Sequence, residues 1–76
     1  MVTAYILVKA NTGEADRLLH AVAGIDGVVD AHLVAGDVDL IARVDVDSPA
    51  DVKEIAADAI QNTPGVEDTE TYISMS

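Results

Sequence analysis

The chain contains no cysteine, tryptophan or phenylalanine, and its only aromatic residues are Tyr5 and Tyr72. The lack of cysteine excludes disulfides and the Cys-x-x-Cys sites of small heavy-metal carriers. With only these two aromatic rings, the sequence excludes a sheet on which RNA bases stack. Basic residues are also scarce, since four Lys and Arg stand against 14 Asp and Glu for a net charge of −10. Nucleic acids and anionic membranes are bound through basic surfaces, so neither is expected as a direct partner.

Long apolar runs and a charged leader are absent as well. The sequence therefore predicts neither secretion nor a membrane span, and the expected location is the cytoplasm. The 76 residues fit one domain, residues 1–76, and 50% of them are hydrophobic, too many for a disordered acidic segment. Such a small domain buries only about 60% of its surface, which favours stabilisation by oligomerisation or salt. Its many carboxylates resemble those of proteins from halophilic organisms, whose solvent screens the repulsion.

The first half of the chain predicts a strand, a helix and a second strand. Apolar residues alternate at every even position from Val2 to Ala10, which is typical of a strand with one buried face. Asn11, Thr12 and Gly13 then offer turn and N-cap chemistry for an amphipathic helix that ends at Gly24. Its apolar stripe recurs at helical spacing at Ala15, Leu18, Leu19 and Val22. Asp26-Gly27 turns the chain into the second strand, predicted over residues 28–35.

The second half repeats the pattern. Gly36-Asp37 predicts a two-residue hairpin turn, because glycine accepts the positive φ that such turns need. A third strand follows with apolar even positions from Val38 to Val46. Ser48, Pro49 and Asp51 are typical of a helix start, and residues 66–75 read as a fourth strand with Thr69 and Thr71 on one side. The buried stripe of the second helix is predicted at Val52, Ile55, Ala56, Ala59 and Ile60.

The two halves match at an offset of 38 residues, which sets Val28 on Val66 and Leu18 on Ala56. Two interleaved βαβ units predict an α+β, ferredoxin-like βαββαβ fold: a four-stranded antiparallel sheet with both helices on one face. The other sheet face then has no cover. Its apolar residues would be wet in a monomer, so we expect a homodimer interface at Tyr5, Leu7 and Ile41.

Catalytic and metal-binding signals are weak. His20 and His32 are the only side chains that normally titrate near neutrality, and neither has a second His, Cys or paired acid spaced to join it. Asp45 and Asp47 read as a solvated strand end and not as a calcium pair. The connection of residues 11–13 lacks the arginine that acylphosphatase chemistry on a similar fold requires. No enzyme activity, metal or cofactor is expected.

The hairpin around Gly36 is the segment with binding chemistry. A tight turn presents backbone N–H groups that can hold an anion, and the nearby carboxylate of Asp39 can hold an ammonium group. Together they would suit a free amino acid. Taken by itself, however, the segment is more typical of a plain Gly-Asp hairpin on an acidic protein than of a binding site.

The chain as a whole resembles the effector-binding (RAM) domain of the Lrp/AsnC transcription regulators. The resemblance is carried, in this order, by Ala4–Lys9, Gly13, Gly27–Val29, the Gly36-x-x-Asp39 turn, Pro64–Val66 and Thr69-x-Thr71. It implies dimers whose sheets face each other, assembled into rings such as octamers or decamers. Effectors, usually amino acids, would bind between dimers beside the turn. Gly36, Val38 and Asp39 would then hold the head group, and Thr69 and Thr71 would line the side-chain end.

The sequence departs from the family pattern in two ways. Ala35 stands where relatives often have Thr or Ser, which removes one hydroxyl from the implied site. The first strand also begins at the N-terminus, so we expect a stand-alone module without a helix-turn-helix that cannot read DNA itself.

Three functions are consistent with the sequence. The first is a non-enzymatic module that senses an amino acid or similar metabolite, with full-length Lrp/AsnC regulators as possible partners in mixed assemblies. The second is a purely structural oligomerisation unit without an effector. The third is a small enzyme of the dimeric α+β barrel type, which would need a catalytic His or a cofactor cleft that the sequence does not reveal.

Overall fold

The computed structural model describes residues 1–75 and confirms the βαββαβ order. The strands are β1 (Val2–Ala10), β2 (Val28–Leu33), β3 (Leu40–Val46) and β4 (Val66–Ile73). The helices are α1 (Ala15–Ala23) and α2 (Pro49–Lys53), and α2 continues as a π-helical segment, Glu54–Ile60. Within residues 1–75 no helix has both the length and the apolar character needed to span a membrane.

The four strands form one antiparallel sheet in the order β2-β3-β1-β4. Val2 pairs with Val46 and Val8 pairs with Leu40 in the central β1–β3 ladder. The register shifts once on each edge strand, where Val29 of β2 and Glu67 of β4 are extra residues. Such bulges bend and twist a strand locally, here at opposite edges of the sheet.

Both helices pack on the same face of the sheet, which confirms the ferredoxin-like fold. The even positions of the two central strands point to that face, and Ile6, Val8 and Leu40 are completely buried there. Burial of each such side chain contributes about 1.5–3 kcal/mol. The core consists of Ala4, Ile6, Val8, Leu18, Val22, Leu40, Ala42, Val44, Val52, Ile55, Ala56 and Ile60. The predicted helix stripes are therefore confirmed, although Ala15, Leu19 and Ala59 are only half-buried.

The two helices begin differently. The Ser48 hydroxyl accepts a hydrogen bond from the Asp51 amide at 3.3 Å, and Pro49 follows it, as the sequence predicts. The predicted cap of α1 within residues 11–13 is wrong, because the N-cap is Glu14 and its side chain makes no capping bond. The Glu14 carboxylate instead accepts from Arg17 at 2.9 Å, and Arg17 also donates to the Pro64 carbonyl at 2.8 Å. The start of α1 is thereby tied to the turn before β4.

The predicted two-residue hairpin at Gly36-Asp37 is wrong. β2 ends at Leu33 rather than at residue 35, β3 begins only at Leu40, and residues 34–39 form a longer connection. Among residues 1–75 a positive φ occurs only at Gly13, Gly27 and Gly65, so Gly36 is not in the left-handed region. At the end of this connection Asp39 bonds in two directions: its amide donates to the Val8 carbonyl, and its carbonyl accepts from the Val34 amide.

Two further boundaries differ from the prediction. The fourth strand ends at Ile73, two residues before the predicted end. The second helix widens into π-helical hydrogen bonding, with the Gln61 amide donating to the Ala56 carbonyl at 3.1 Å. This pattern is rare and leaves no simple trace in apolar spacing.

Candidate ligand-binding site

The open face of the sheet carries the three residues predicted for a dimer interface. Leu7 pairs directly with Ile41, and both are half-buried in a single chain. Tyr5 lies one step along the same face between Arg43 and Tyr72, with 41% of its surface exposed. The structure therefore places the three residues together on the uncovered face.

Polar side chains surround this apolar centre and satisfy one another. Arg43 donates to Asp30 at 2.7 Å and lies 3.9 Å from Asp45, and the hydrogen bond to Asp30 raises the pKa of Arg43. Asp45 also accepts from the Thr3 hydroxyl at 2.6 Å. The solvated strand end predicted for Asp45 is therefore wrong, because Asp45 is half-buried and paired. Of these two partners, Thr3 lies on the neighbouring strand β1, whereas Arg43 lies on β3 itself, two residues before Asp45.

Tyr72 on β4 donates its hydroxyl to the Glu70 carboxylate. This bond, together with the negative charge of Glu70, raises the pKa of Tyr72 above its usual value near 10. Both side chains lie on the open face, because they pair with Tyr5 and Leu7 of β1.

The loop of residues 34–39 holds three of the predicted ligand contacts. Gly36 is exposed, and no atom lies within 4 Å of the position of an added Cβ. Val38 and Asp39 are half-buried. The Asp39 carboxylate already has a partner within the chain, because its Oδ2 accepts a hydrogen bond from the Ala10 amide at 2.8 Å. That bond ties the loop to the end of β1, where the β1–β4 register shifts.

Thr69 and Thr71 lie elsewhere, on the helix side of β4, opposite the buried Val8 and Ile6. The Thr69 hydroxyl is 3.0 Å from Gln61 Oε1 and donates to it. Between β4 and the second helix is a cleft of about 380 Å³ lined by Val52, Lys53, Ala56, Ala57, Gln61, Thr69 and Thr71. Gly36, Val38 and Asp39 do not line this cleft.

A second cleft, of about 420 Å³, brings the loop and β4 together on the open side of the sheet. It is lined by Leu7, Lys9, Asp37, Val38, Asp68, Thr69, Glu70 and Tyr72. Of the five predicted contacts, Val38 and Thr69 therefore share a cleft. Lys9 was missed as a candidate although it pairs with Asp68 across β1 and β4. The sequence signal for Lys9 was its position on β1, where it follows Tyr5 and Leu7 on the open face and comes next to the loop.

The histidines remain outside these clefts. His20 is exposed on α1, and His32 is exposed on β2, where it pairs with Ile41 of the open face. Residues 1–75 contain no group of three or more His, Cys, Asp or Glu that could hold a metal ion.

Curated relatives are similar in sequence to most of the chain. An uncharacterized HTH-type transcriptional regulator of Pyrococcus horikoshii is 33% identical over 75 residues, which are 95% of this chain and 50% of the relative. The leucine-responsive regulatory protein of Haemophilus influenzae is 28% identical over 69 residues, 91% of this chain and 42% of the relative. The chain thus spans about half the length, or less, of these curated relatives.

Solved structures give the same picture. The TTHA0845 protein of Thermus thermophilus superposes with a TM-score of 0.95 at 28% identity, covering 100% of this chain and 95% of that one. A transcriptional regulator of Neisseria meningitidis in complex with L-Met superposes at 0.87 with 16% identity, covering 99% of this chain and 50% of that one, which shows a common fold. The model of the Lrp/AsnC ligand binding domain matches residues 3–76. With that match over nearly its whole length, the chain belongs to the Lrp/AsnC ligand-binding domain family.

Proposed function

We propose that this domain is a non-enzymatic oligomerisation and sensing module of transcription regulation in the cytoplasm, and that its effector is a free amino acid. Family membership supports the regulatory role, and the relatives in the comparison are named as transcription regulators, not enzymes. The related fold that holds L-Met supports an amino-acid ligand for this one.

The observation that carries the proposal is the pairing of opposite charges in the open-side cleft. Lys9 can bind an α-carboxylate, and Asp37, Asp68 and Glu70 can bind an α-ammonium group in the same cleft. Within residues 1–75 Lys9 forms no ion pair, so its charge is available to a ligand. Leu7 and Val38 supply apolar contact surface beside these charges.

The five residues predicted from the sequence keep a place in this proposal. Asp39 uses Oδ2 for the Ala10 amide, and Oδ1 is left to accept from a ligand ammonium group. Gly36 and Val38 contribute backbone contacts, while Thr69 and Thr71 line the side-chain end. Since Thr71 does not share a cleft with the loop in one chain, we infer that Thr71 of a subunit in another dimer completes the site that begins in the open-side cleft.

Oligomerisation completes the proposal. Two open faces packed against each other would cover Tyr5, Leu7 and Ile41, and rings of such dimers, octamers or decamers, would form the ligand sites. Full-length Lrp/AsnC regulators would be partners through the same faces. A halophilic origin fits the net charge of −10, because concentrated salt would screen the repulsion between the carboxylates.

A thermal-shift screen against the twenty amino acids tests the effector. A ligand that binds only the folded state at 100 times its Kd stabilises it by about 2.7 kcal/mol, which raises the Tm of a domain this small by about 10 °C or more. Lys9→Gln should abolish the shift. Lys53→Gln is the matched control, because Lys53 is the lysine of the helix-side cleft. A shift lost only with Lys53→Gln would move the site to that cleft, and no shift with any amino acid would favour the purely structural module.

A further inference from the structure

A third cleft, on the side of the second helix away from β4, has no role in the proposed function. Its volume is about 550 Å³, and it lies where the turn between α1 and β2 meets the second helix. It shares no lining residue with the two clefts described above. We call it the acidic groove.

The floor of the acidic groove is apolar and packs closely against the turn at Gly27. It is formed by Ile25, Val46, Ile55 and Ala59. Gly27 lies so close to this floor that a Cβ there would come within 2.6 Å of Ile55 Cδ1 and 3.1 Å of Val46 Cγ1. The positive φ of Gly27, +97°, further disfavours any side chain at this position. The turn therefore packs directly on Ile55, which is buried, while Ile25, Val46 and Ala59 remain half-exposed in the groove.

The rim of the acidic groove is negative. Its charged residues are Asp26, Asp51, Glu54 and Asp58, and no basic residue lines it. Acidic residues are four of the nine residues that line the groove, compared with 14 of the 76 residues of the whole chain. The groove is therefore richer in acidic residues than the chain as a whole.

These four carboxylates also lack partners. Glu14, Asp30 and Asp45 form ion pairs elsewhere on the surface, whereas none of the rim carboxylates forms an ion pair or a side-chain hydrogen bond within residues 1–75. The rim thus concentrates uncompensated negative charge around an apolar floor, and a cationic partner would relieve this repulsion.

The spacing of the carboxylates indicates what kind of cation fits. No three of them approach closely enough to hold a metal ion. A partner must therefore present several separated positive charges, with apolar side chains between them to cover the floor. We propose that the acidic groove docks a protein segment of amphipathic character, whose apolar side chains are flanked by Lys or Arg. This interaction does not depend on an amino-acid effector.

A synthetic amphipathic peptide of about 14 residues, with leucines at helical spacing and flanking lysines, serves as the probe. Binding to the intact assembled protein is measured by fluorescence anisotropy, and the site is mapped by amide chemical shifts. The expected result is saturable binding that perturbs the amides of Gly27, Ile55 and Asp58. The triple variant Asp26→Asn, Glu54→Gln, Asp58→Asn should weaken it about tenfold or more.

The matched control removes three exposed acids that line none of the three clefts: Asp16→Asn, Asp47→Asn, Glu67→Gln. It changes the net charge equally and should weaken binding less than about threefold. Equal losses in the two triple variants would reduce the interaction to general attraction by an acidic protein and overturn the proposal. A peptide with alanines in place of the leucines should bind much more weakly. If it binds as well, or if spermidine or Mg²⁺ perturbs the groove while the leucine peptide does not, the proposed partner is wrong.

Discussion

Asp39 has one carboxylate oxygen that stabilises the fold and one that is proposed to bind the ligand, so substitutions can test the two roles separately. Its Oδ2 accepts the Ala10 amide hydrogen at 2.8 Å, and Oδ1 remains for the ammonium group of an amino acid. Asp39→Ala removes both acceptors. Asp39→Asn keeps an oxygen for the Ala10 amide and removes the negative charge. The two substitutions should therefore differ in stability and agree in their loss of affinity.

The expected magnitudes follow from these contacts. Loss of the acceptor leaves the Ala10 amide unsatisfied, which costs about 1–3 kcal/mol when a group is buried. Because Ala10 and Asp39 are only half-buried, the lower end applies, and Asp39→Ala should lower the Tm by about 4–8 °C. Asp39→Asn should change it much less. Both variants should lose about 1.5–3 kcal/mol of the free energy of ligand binding, which corresponds to a Kd about ten to a hundred times higher.

Calorimetric titration with the amino acid that gives the largest thermal shift measures the affinity of parent and variants. Light scattering on the same samples confirms that the assembly is intact, and Asp47→Asn, an exposed acid outside all three clefts, is the control for charge alone. Unchanged affinity in an assembled Asp39→Asn protein would refute Asp39 as the ammonium acceptor and direct attention to the carboxylates of the open-side cleft, Asp37, Asp68 and Glu70, and then to Thr69 and Thr71. An unchanged Tm in Asp39→Ala would show that the bond to Ala10 contributes nothing to stability.

Four further outcomes are expected. Leu7→Asp, which puts an unpaired charge on the open face, should dissociate the dimer in light scattering, and a parent protein that is itself monomeric at micromolar concentration would refute the interface. Molar salt should raise the Tm because it shortens the Debye length to about 3 Å, whereas identical melting curves in dilute buffer would count against halophilic adaptation. Gly27→Ala should lower the Tm by several degrees because of its φ of +97° and the contact with Ile55, while Gly36→Ala, with open space around it, should not. In a Tyr5→Phe background, Glu70→Gln should lower the pKa of Tyr72, which is measured by phenolate absorbance. The bond to Glu70 raises the pKa of Tyr72 in the folded protein above that in the unfolded chain. The stability that this bond adds is therefore present below pH 10 and is lost as the pH rises through the pKa of the folded protein.

The sequence by itself determined the order of elements and the composition of the core. Apolar residues at every second position place Ile6 and Leu40 inward whatever the neighbouring strand, and helical spacing does the same for Leu18 and Val22. These are local properties, because the side-chain period follows from the backbone alone. The uncovered sheet face followed from the same alternation once both helices were assigned to the other face.

The binding clefts required the tertiary structure. Lys9 and Glu70 are 61 positions apart, and only the β1–β4 pairing brings them to one cleft. The tight hairpin predicted at Gly36 is instead a six-residue loop, in which Asp39 directs its amide and its carboxylate to β1. These contacts join residues 31 and 29 positions apart, and no local turn preference describes them. Nor does apolar spacing reveal that Thr69 and Thr71 face the second helix while Val38 faces the open side. Periodicity reports which side of an element is buried, but which side chains meet depends on strand order and register, and these are decided by packing of the whole chain.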